Sequence, residues 1–306
     1  DLVEVWREIL GIDSIGIRDN YFASGGDSIK ALQLVSRLRA RKRTMRVRDL
    51  FEHPTIEALA PYLKRIESAA NVPRDTQGEA PLLPIQRDFL CGHGGDTSHY
   101  CQAILLHPTQ PIDAAALRAA LPRVVALHDG FRLRFAQEGK GWRQWYSDEG
   151  SHVSFETVRL TGDFAAALTR HATTVHASMD LGRGPLFKVV LYEGDGGQRL
   201  LLTAHHLVID AHSWRIVMDD LALVMEGEAP PQEPCSYKDW CLILARYGEQ
   251  MPLAEREYWR SWDGRAIPPL ALSPPATGRY RDLNTVSMRL DADRTRRLLT
   301  RCHTAY

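Results

Sequence analysis

Residues 205–214, His-His-Leu-Val-Ile-Asp-Ala-His-Ser-Trp, hold the side chains best suited to chemistry. A histidine exchanges a proton near neutral pH, so His205 or His206 could act as a general base. Neighbouring side chains of a strand point to opposite sides, so one histidine of the pair should face a given cleft. Asp210 follows across a turn and would orient the loop by pairing rather than take a proton itself.

The same stretch has a competing interpretation as a metal site, with His205, His206, Asp210 and His212 as ligands. Its spacing matches no common zinc pattern, and no cysteine or glutamate lies nearby. We therefore predict no metal.

A second reactive side chain is the hydroxyl of Ser28, in Gly-Gly-Asp-Ser-Ile at residues 25–29. The glycines leave the backbone open, and the positive end of a following helix favours a phosphate attached to that hydroxyl. The alternative is that Asp27 or Ser28 merely caps the helix, and these five residues taken alone favour the cap.

The elements that must position the histidines can be predicted from hydrophobic spacing. The apolar run at residues 199–204 is too short for a helix and predicts a buried strand. Apolar residues at helical spacing then predict a helix with one buried face. They are Trp214, Val217, Met218, Leu221 and Val224. The histidine pair therefore lies where a core strand ends.

The whole chain is predicted to form two domains. Residues 1–66 predict a small all-α helix bundle, with a full helix after Thr55. Residues 67–81 lack periodicity and predict a linker. Residues 82–306 alternate between strands and helices, which predicts one open mixed sheet with flanking helices. Strands are predicted near residues 100–106, 131–135, 142–146, 187–192, 199–205 and 285–290, and an irregular loop at 270–278.

Composition excludes several classes of function. The 306 residues include 38 basic and 38 acidic side chains, so bulk charge predicts neither a nucleic-acid nor a membrane-surface partner. Five cysteines without Cys-x-x-Cys spacing indicate reduced thiols in a cytoplasmic protein. Helical patterns reach both ends of the chain, which predicts a piece of a longer polypeptide.

Several segments of residues 1–66 together resemble the peptidyl carrier proteins of nonribosomal peptide synthetases. They are Leu-Gly-Ile at 10–12, Asp-Asn-Tyr-Phe at 19–22, Gly-Gly-Asp-Ser-Ile at 25–29 and Asp-Leu-Phe-Glu-His-Pro-Thr at 49–55. The resemblance implies that Ser28 carries a covalent 4′-phosphopantetheine arm, whose thiol holds an aminoacyl group as a thioester. The form Gly-Gly-Asp-Ser-Ile is similar to that of carriers ahead of epimerisation domains.

The pattern His-His-x-x-x-Asp from His205, followed by Ser-Trp-Arg from Ser213, resembles the core motif of the condensation-domain superfamily. The Ser-Trp pair is similar to its epimerisation branch. Other segments that resemble the family lie at residues 84–86, 128–135, 179–186 and 304–306. The resemblance implies that residues 82–306 are the N-terminal, chloramphenicol-acetyltransferase-like lobe of an epimerisation domain. The C-terminal lobe, with a glutamate working on the opposite face, would then follow Tyr306.

The reaction implied is epimerisation, from L to D, at Cα of an aminoacyl or peptidyl thioester, without pyridoxal phosphate. The family assigns His206 as base or acid, His205 as a supporting residue, and Asp210 as the partner of Arg132. One alternative is a condensation domain that forms the peptide bond, and another is a non-catalytic module that only docks the carrier. The chain by itself is expected to be inactive.

Partners follow from the same resemblance. A phosphopantetheinyl transferase would attach the arm, an upstream adenylation domain would select the amino acid, and a downstream condensation domain would use the product.

Three positions depart from the family pattern. Ala211 replaces a usual glycine, and would be costly if that backbone needs a positive φ. His212 replaces a small apolar residue, and an exposed loop histidine is the favoured interpretation. Asp88 stands where a bulky aromatic residue is expected.

Overall fold

The computed structural model describes residues 2–65, 74–92, 97–230, 235–265 and 286–305, with only the backbone at residues 40 and 299–305. The chain divides into two compact units, one of residues 1–68 and 253–306 and the other of residues 69–252. Within the described residues, no helix is both long enough and apolar enough to cross a membrane.

The N-terminal part of the first unit is the predicted helix bundle. Its helices are α1 (Leu2–Leu10), α2 (Ser28–Ala40), α3 (Val47–Glu52) and α4 (Ile56–Leu59). Trp6, Tyr21 and Leu34 are fully buried in its core, and the Trp6 and Tyr21 rings meet edge to face at 4.8 Å. The Tyr21 N–H donates to the carbonyl of Pro54 (2.8 Å), which fixes the long loop between α1 and α2.

The bundle departs from the prediction at two places. Thr55 caps α4 as predicted, accepting from the Ala58 N–H (3.2 Å), but the α-helix ends at Leu59 and continues only as a 3-10 turn. Pro61 explains this early end, because proline has no N–H to extend an α-helix. Two short strands, β1 (Arg43–Thr44) and β2 (Lys64–Arg65), also pair antiparallel, so this part is not purely α-helical.

Among its described residues, the second unit contains two sheets rather than the predicted single one. A three-stranded sheet has the order β3-β6-β5 and a four-stranded sheet the order β4-β9-β8-β7. The strands are β3 (Glu79–Ala80), β4 (Cys101–Leu106), β5 (Leu133–Glu138), β6 (Gly141–Tyr146), β7 (Ser154–Arg159), β8 (Phe187–Glu193) and β9 (Arg199–His205). The helices are α5 (Pro84–Gly92), α6 (Ala114–Leu127), α7 (Phe164–Ala177), α8 (Ala211–Met225) and α9 (Tyr237–Glu249).

Strand β9 is the centre of this unit. It pairs antiparallel with β4 on one side and with β8 on the other, and all its residues after Arg199 are buried. Burial on both faces explains why its sequence is a continuous apolar run. Trp214, Val217 and Leu221 of α8 belong to the same core as β9, so the predicted helix and its buried face are confirmed.

Other differences lie outside this centre. Strand β7 was not predicted, and it pairs parallel with β8. Residues 286–290 have no strand structure, so that part of the strand predicted at 285–290 is wrong. Residue 285 and the loop predicted at 270–278 lie outside the described residues. The remaining helices are α10 (Leu253–Arg260) and α11 (Ala292–Ala305), both in the first unit.

The end of the predicted linker is structured. Glu79 and Ala80 form β3 and pair with Trp145 and Gln144 of β6. Arg74 forms a salt bridge of 2.5 Å with the buried Asp129. Because an unpaired buried carboxylate is costly, Arg74 stabilises both Asp129 and this segment of chain.

Candidate active site

The histidine pair lies where β9 ends and the chain turns toward α8. Hydrogen bonds continue past the strand on both sides: the His205 N–H donates to Leu186 O and the His206 N–H to Tyr100 O, each at 2.9 Å. The Val208 N–H then donates back to His205 O (3.0 Å) and closes a turn. The backbone is therefore fixed at the point where the two imidazoles leave it.

His205 is fully buried, and both its ring nitrogens have partners. Its Nδ1 accepts from the Leu207 N–H (3.1 Å), and its Nε2 lies 2.8 Å from the carbonyl oxygen of Thr97. Because a carbonyl only accepts, Nε2 must carry the proton, which fixes the neutral tautomer. Burial lowers the pKa of His205 to about 4. His205 is thus a neutral, fully buried cross-link of the loop, with both nitrogens bound to the backbone.

His206 is half-buried and has a different arrangement. Its Nδ1 lies 2.9 Å from the carbonyl oxygen of Ile209, so Nδ1 carries a proton. In neutral imidazole Nε2 is then the acceptor, and it lies 2.9 Å from Nε2 of Gln102. The ring stacks on Tyr100, with 5.1 Å between centroids. The lone pair that a base needs is therefore on Nε2, and the ring is held from two sides.

Asp210 is the N-cap of α8. Its carboxylate accepts from the N–H and the hydroxyl of Ser213, both at 2.7 Å. Burial alone would raise the pKa of the Asp210 carboxyl, but the Ser213 hydrogen bonds together with smaller contributions from His212 outweigh it, and the net pKa is lowered. Asp210 thereby fixes the end of the loop whose carbonyl at Ile209 holds His206.

The implied pair between Asp210 and Arg132 is wrong for this structure. The Arg132 guanidinium instead binds the Asp148 carboxylate (2.5 Å) and the Thr76 hydroxyl (3.2 Å). The Asp210 carboxylate accepts from Ser213 through Oδ1, so a helix cap orders this end of the loop.

The concern about Ala211 does not arise. Ala211 is the first residue of α8, and among the described residues the one non-glycine with a positive φ is Lys42. His212 is exposed, as expected, but lies on α8 rather than in a loop. Asp88 is exposed too, and the neighbouring Phe89 supplies an aromatic ring that stacks on Tyr100 at 4.7 Å.

Two buried residues of the predicted motifs join segments that are distant in the sequence. Gln86 is buried; its amide donates to Leu207 O (3.0 Å) and its carbonyl accepts from the Leu83 N–H (3.0 Å). Arg134 is also buried, and its guanidinium donates to Leu133 O (2.8 Å) and Arg183 O (3.1 Å). Gln86 therefore ties the first predicted motif to the loop of the histidines, and Arg134 ties the second motif to the stretch at residues 179–186.

Gln102 and Tyr100 were missed by sequence reasoning. The available signal was a polar residue inside the apolar run at 101–106, which alternation places on one face of the strand. No spacing within the histidine motif points to residues about a hundred positions earlier. Among the described residues, no group of three or more histidine, cysteine or acidic side chains could hold a metal ion.

The Ser28 hydroxyl lies at the first residue of α2 and is exposed. Asp27, not Ser28, caps the helix by accepting from the Lys30 N–H (2.8 Å). Gly25 has a φ of +93°, and a Cβ at Gly26 would overlap the Tyr21 ring, so this turn requires both glycines. The turn thus leaves the serine open to solvent at a helix N-terminus.

Comparison with known proteins agrees with these observations. The family model for the condensation domain matches residues 76–306. The chain belongs to the condensation domain family. The family model for the phosphopantetheine attachment site matches residues 1–63. The predicted order, a carrier followed by a condensation-superfamily domain of the nonribosomal peptide synthetase kind, is confirmed, as is the expected covalent 4′-phosphopantetheine.

Similar proteins are much longer than this condensation-family chain. Surfactin synthase subunits 2 and 1 of Bacillus subtilis (strain 168) are 35% and 32% identical over all of it, and it spans 9% of each. Tyrocidine synthase 1 of Brevibacillus parabrevis is 32% identical, and the chain spans 29% of its length.

Two solved structures share the fold. The epimerization domain from the third module of tyrocidine synthetase B has a TM-score of 0.66 and 28% identity, covering 75% of this chain and 55% of its own. The condensation domain of Monacolin K polyketide synthase has a TM-score of 0.58 and 17% identity, covering 74% of this chain and 55% of its own. The second likeness concerns the fold alone.

Proposed function

We propose that this chain is part of an enzyme that epimerises Cα of an aminoacyl or peptidyl thioester, with His206 as the general base or acid. The observation that carries the proposal is the tautomer of His206. Its Nδ1–H is bound to Ile209 O, so the lone pair of neutral imidazole is on Nε2 of a half-buried ring. A fixed tautomer with one accepting nitrogen is what removal of a carbon-bound proton requires.

Ser28 is the proposed attachment residue for the phosphopantetheine arm. Its exposure lets a phosphopantetheinyl transferase reach the hydroxyl, and the N-terminal end of α2 favours the negative charge of a phosphate ester. The Lys30 ammonium, bound to Gly25 O (2.8 Å), adds positive charge to the same turn. The residues present therefore fit the group. When attached, the arm supplies the thiol that holds the substrate as a thioester.

The chemistry needs one proton to leave Cα and another to return on the opposite face. A thioester carbonyl acidifies Cα, so His206 Nε2 can take that proton while the C–H electron pair moves into the enolate. His205 holds the loop as a neutral cross-link, and Asp210 holds its other end by capping α8. No pyridoxal phosphate is required for such a proton transfer.

Two observations favour epimerisation over condensation. Ser213 and Trp214 follow the motif as in the epimerisation branch, and the similar structure at 28% identity is an epimerization domain. Peptide-bond formation is the second candidate, since the matching family model is that of the condensation domain. There His206 would take the proton of an attacking amine instead. A module that only docks the carrier would not need a histidine with a fixed tautomer.

The carrier implies a phosphopantetheinyl transferase and other modules of a nonribosomal peptide synthetase as partners. We further propose an adenylation domain as the source of the aminoacyl group. A condensation domain would then accept the epimerised product.

Hydrogen exchange at Cα tests the proposal. The full-length protein that contains these residues is loaded with an L-aminoacyl thioester in deuterium oxide, and the released product is examined by mass and chirality. We expect deuterium at Cα and a mixture of L and D forms. His206→Ala should slow exchange by about 10²–10⁴-fold. The matched control is His107→Ala, at an exposed histidine beyond the far end of β4, and should exchange at the wild-type rate.

Two results would count against epimerisation. Wild-type protein that retains the Cα hydrogen would exclude proton removal at Cα. Formation of a dipeptide with a second loaded carrier, without deuterium at Cα, would favour the condensation reaction.

A further inference from the structure

Gln102 lies beside the proposed base because of the strand register. Strand β4 is an edge strand, and its Gln102 pairs with Ala204 of β9. His206 is two residues beyond Ala204, so Gln102 and His206 project from the same face. The side-chain amide of Gln102 then reaches the ring, with 2.9 Å between the two Nε2 atoms.

This contact can have only one direction when His206 is neutral. Because Nδ1 carries the proton that is bound to Ile209 O, Nε2 can only accept. The Gln102 amide must therefore donate, and it occupies the same lone pair that would take a proton from Cα. In the protein without substrate, the reactive nitrogen is hydrogen-bonded rather than free.

The carbonyl oxygen of the Gln102 amide, in contrast, is not held by a hydrogen bond. Its Oε1 is buried, and among the described residues it has no hydrogen-bond partner. A buried carbonyl without a partner is unfavourable, and no bond to Oε1 resists rotation of the amide. Rotation by half a turn would exchange the positions of the amide nitrogen and oxygen, which are similar in size.

We infer that Gln102 is a positioning residue for His206, which holds the Nε2 lone pair at rest, releases it by rotating its amide when substrate binds, and accepts a hydrogen bond from Nε2–H once the proton has transferred. The inference rests on the proposed function of His206. In the step, the Cα–H bond breaks, its electron pair enters the thioester enolate, and the proton binds to Nε2. The Gln102 carbonyl then accepts a hydrogen bond from the imidazolium, so one side chain serves both protonation states.

Chemical modification tests the contact without requiring activity. Diethyl pyrocarbonate reacts with an unprotonated imidazole nitrogen, and the rate at His206 can be followed by peptide mass spectrometry at neutral pH. Gln102→Leu should raise that rate about fivefold, since one hydrogen bond to the lone pair is lost. Gln102→Glu should lower it, because a carboxylate favours the protonated ring. The matched controls are Gln137→Leu and Gln137→Glu, at an exposed position of β5, and should leave the rate unchanged.

The pH profile of Cα exchange in the full-length protein tests the catalytic part. Gln102→Glu should move the acid limb of the profile upward by about one pH unit. Gln102→Leu should lower the maximum rate without that movement. If Gln102 only stabilised the fold, both variants would exchange more slowly and the pH of the acid limb would not change.

Equal modification rates in wild type, Gln102→Leu and Gln102→Glu would overturn the inference, and so would an unmoved acid limb in Gln102→Glu. The two proposals can fail separately. Altered modification rates in a wild-type protein that shows no exchange would support the Gln102–His206 contact while excluding epimerisation.

Discussion

The turn before α2 and the loop before α8 both end in an aspartate that caps the following helix, but their reactive side chains have opposite requirements. Asp27 caps α2 through the Lys30 N–H, and Asp210 caps α8 through the Ser213 N–H, at 2.8 and 2.7 Å. Beyond the caps they differ: the Ser28 hydroxyl is exposed, whereas both imidazole nitrogens of His206 have partners. A residue modified by another protein needs access, while a base needs one fixed tautomer.

The largest effect is expected at the exposed serine. Ser28→Ala should abolish attachment of the arm by a phosphopantetheinyl transferase and coenzyme A, because the accepting hydroxyl is lost. Intact mass spectrometry checks this directly. Ser14→Ala, at another exposed serine of the same bundle, should gain the mass of the arm as wild type does. Modification that persists in Ser28→Ala would show that another residue carries the arm.

A smaller effect is expected at the buried histidine. The pKa of His205 is about 4 in the folded protein against an ordinary 6.5, so the unfolded chain binds more protons between these values. Stability should therefore fall as the pH drops from about 6.5 to about 4, by about 3 kcal/mol from this group. Denaturant unfolding across this range measures it.

The control for that measurement is His205→Gln, which does not titrate. The difference in unfolding free energy between wild type and His205→Gln should vary with pH as described. A difference that is constant from pH 4 to 7 would contradict a neutral, buried His205.

The smallest effect is expected when each of the two helix caps is removed. Asp27→Ala and Asp210→Ala should each lower the free energy of unfolding by about 1 kcal/mol, since each removes an N-cap. Only Asp210→Ala should also slow Cα exchange, because it loosens the loop whose Ile209 carbonyl holds His206. Asp27→Ala should still accept the arm. Equal effects of both changes on exchange would show that the cap of α8 has no special part in the site.

The sequence predicted the strands and helices that a pattern of neighbouring apolar residues marks. Strand β9 and helix α8 were predicted because an apolar run and a helical stripe are properties of adjacent residues. Strand β7 was missed because most of its side chains are exposed, so it lacks a clear apolar pattern. The division into two sheets also escaped prediction, because pairing between distant strands leaves little trace in a single sequence.

The candidate site was predictable in part. The site residues and the proposed role of His206 followed from motif resemblance, but the tautomer of His206 depends on Ile209 O and Gln102, which only the folded chain brings together. The predicted pair of Arg132 with Asp210 was wrong, because the Arg132 guanidinium binds Asp148 and Thr76, which no motif indicated. The cost assigned to Ala211 assumed a positive φ that the helix start does not need.

The pairing register between β4 and β9 determines which side chain of β4 lies beside His206. Gln102 meets His206 because Cys101 pairs with His205, and a slip by one residue would turn every β4 side chain to the other face. An insertion or deletion of one residue within β4, between Gln102 and Leu106, should therefore harm the site more than most substitutions within the strand. Among related domains, we therefore expect the number of residues in this strand to vary less than their identities.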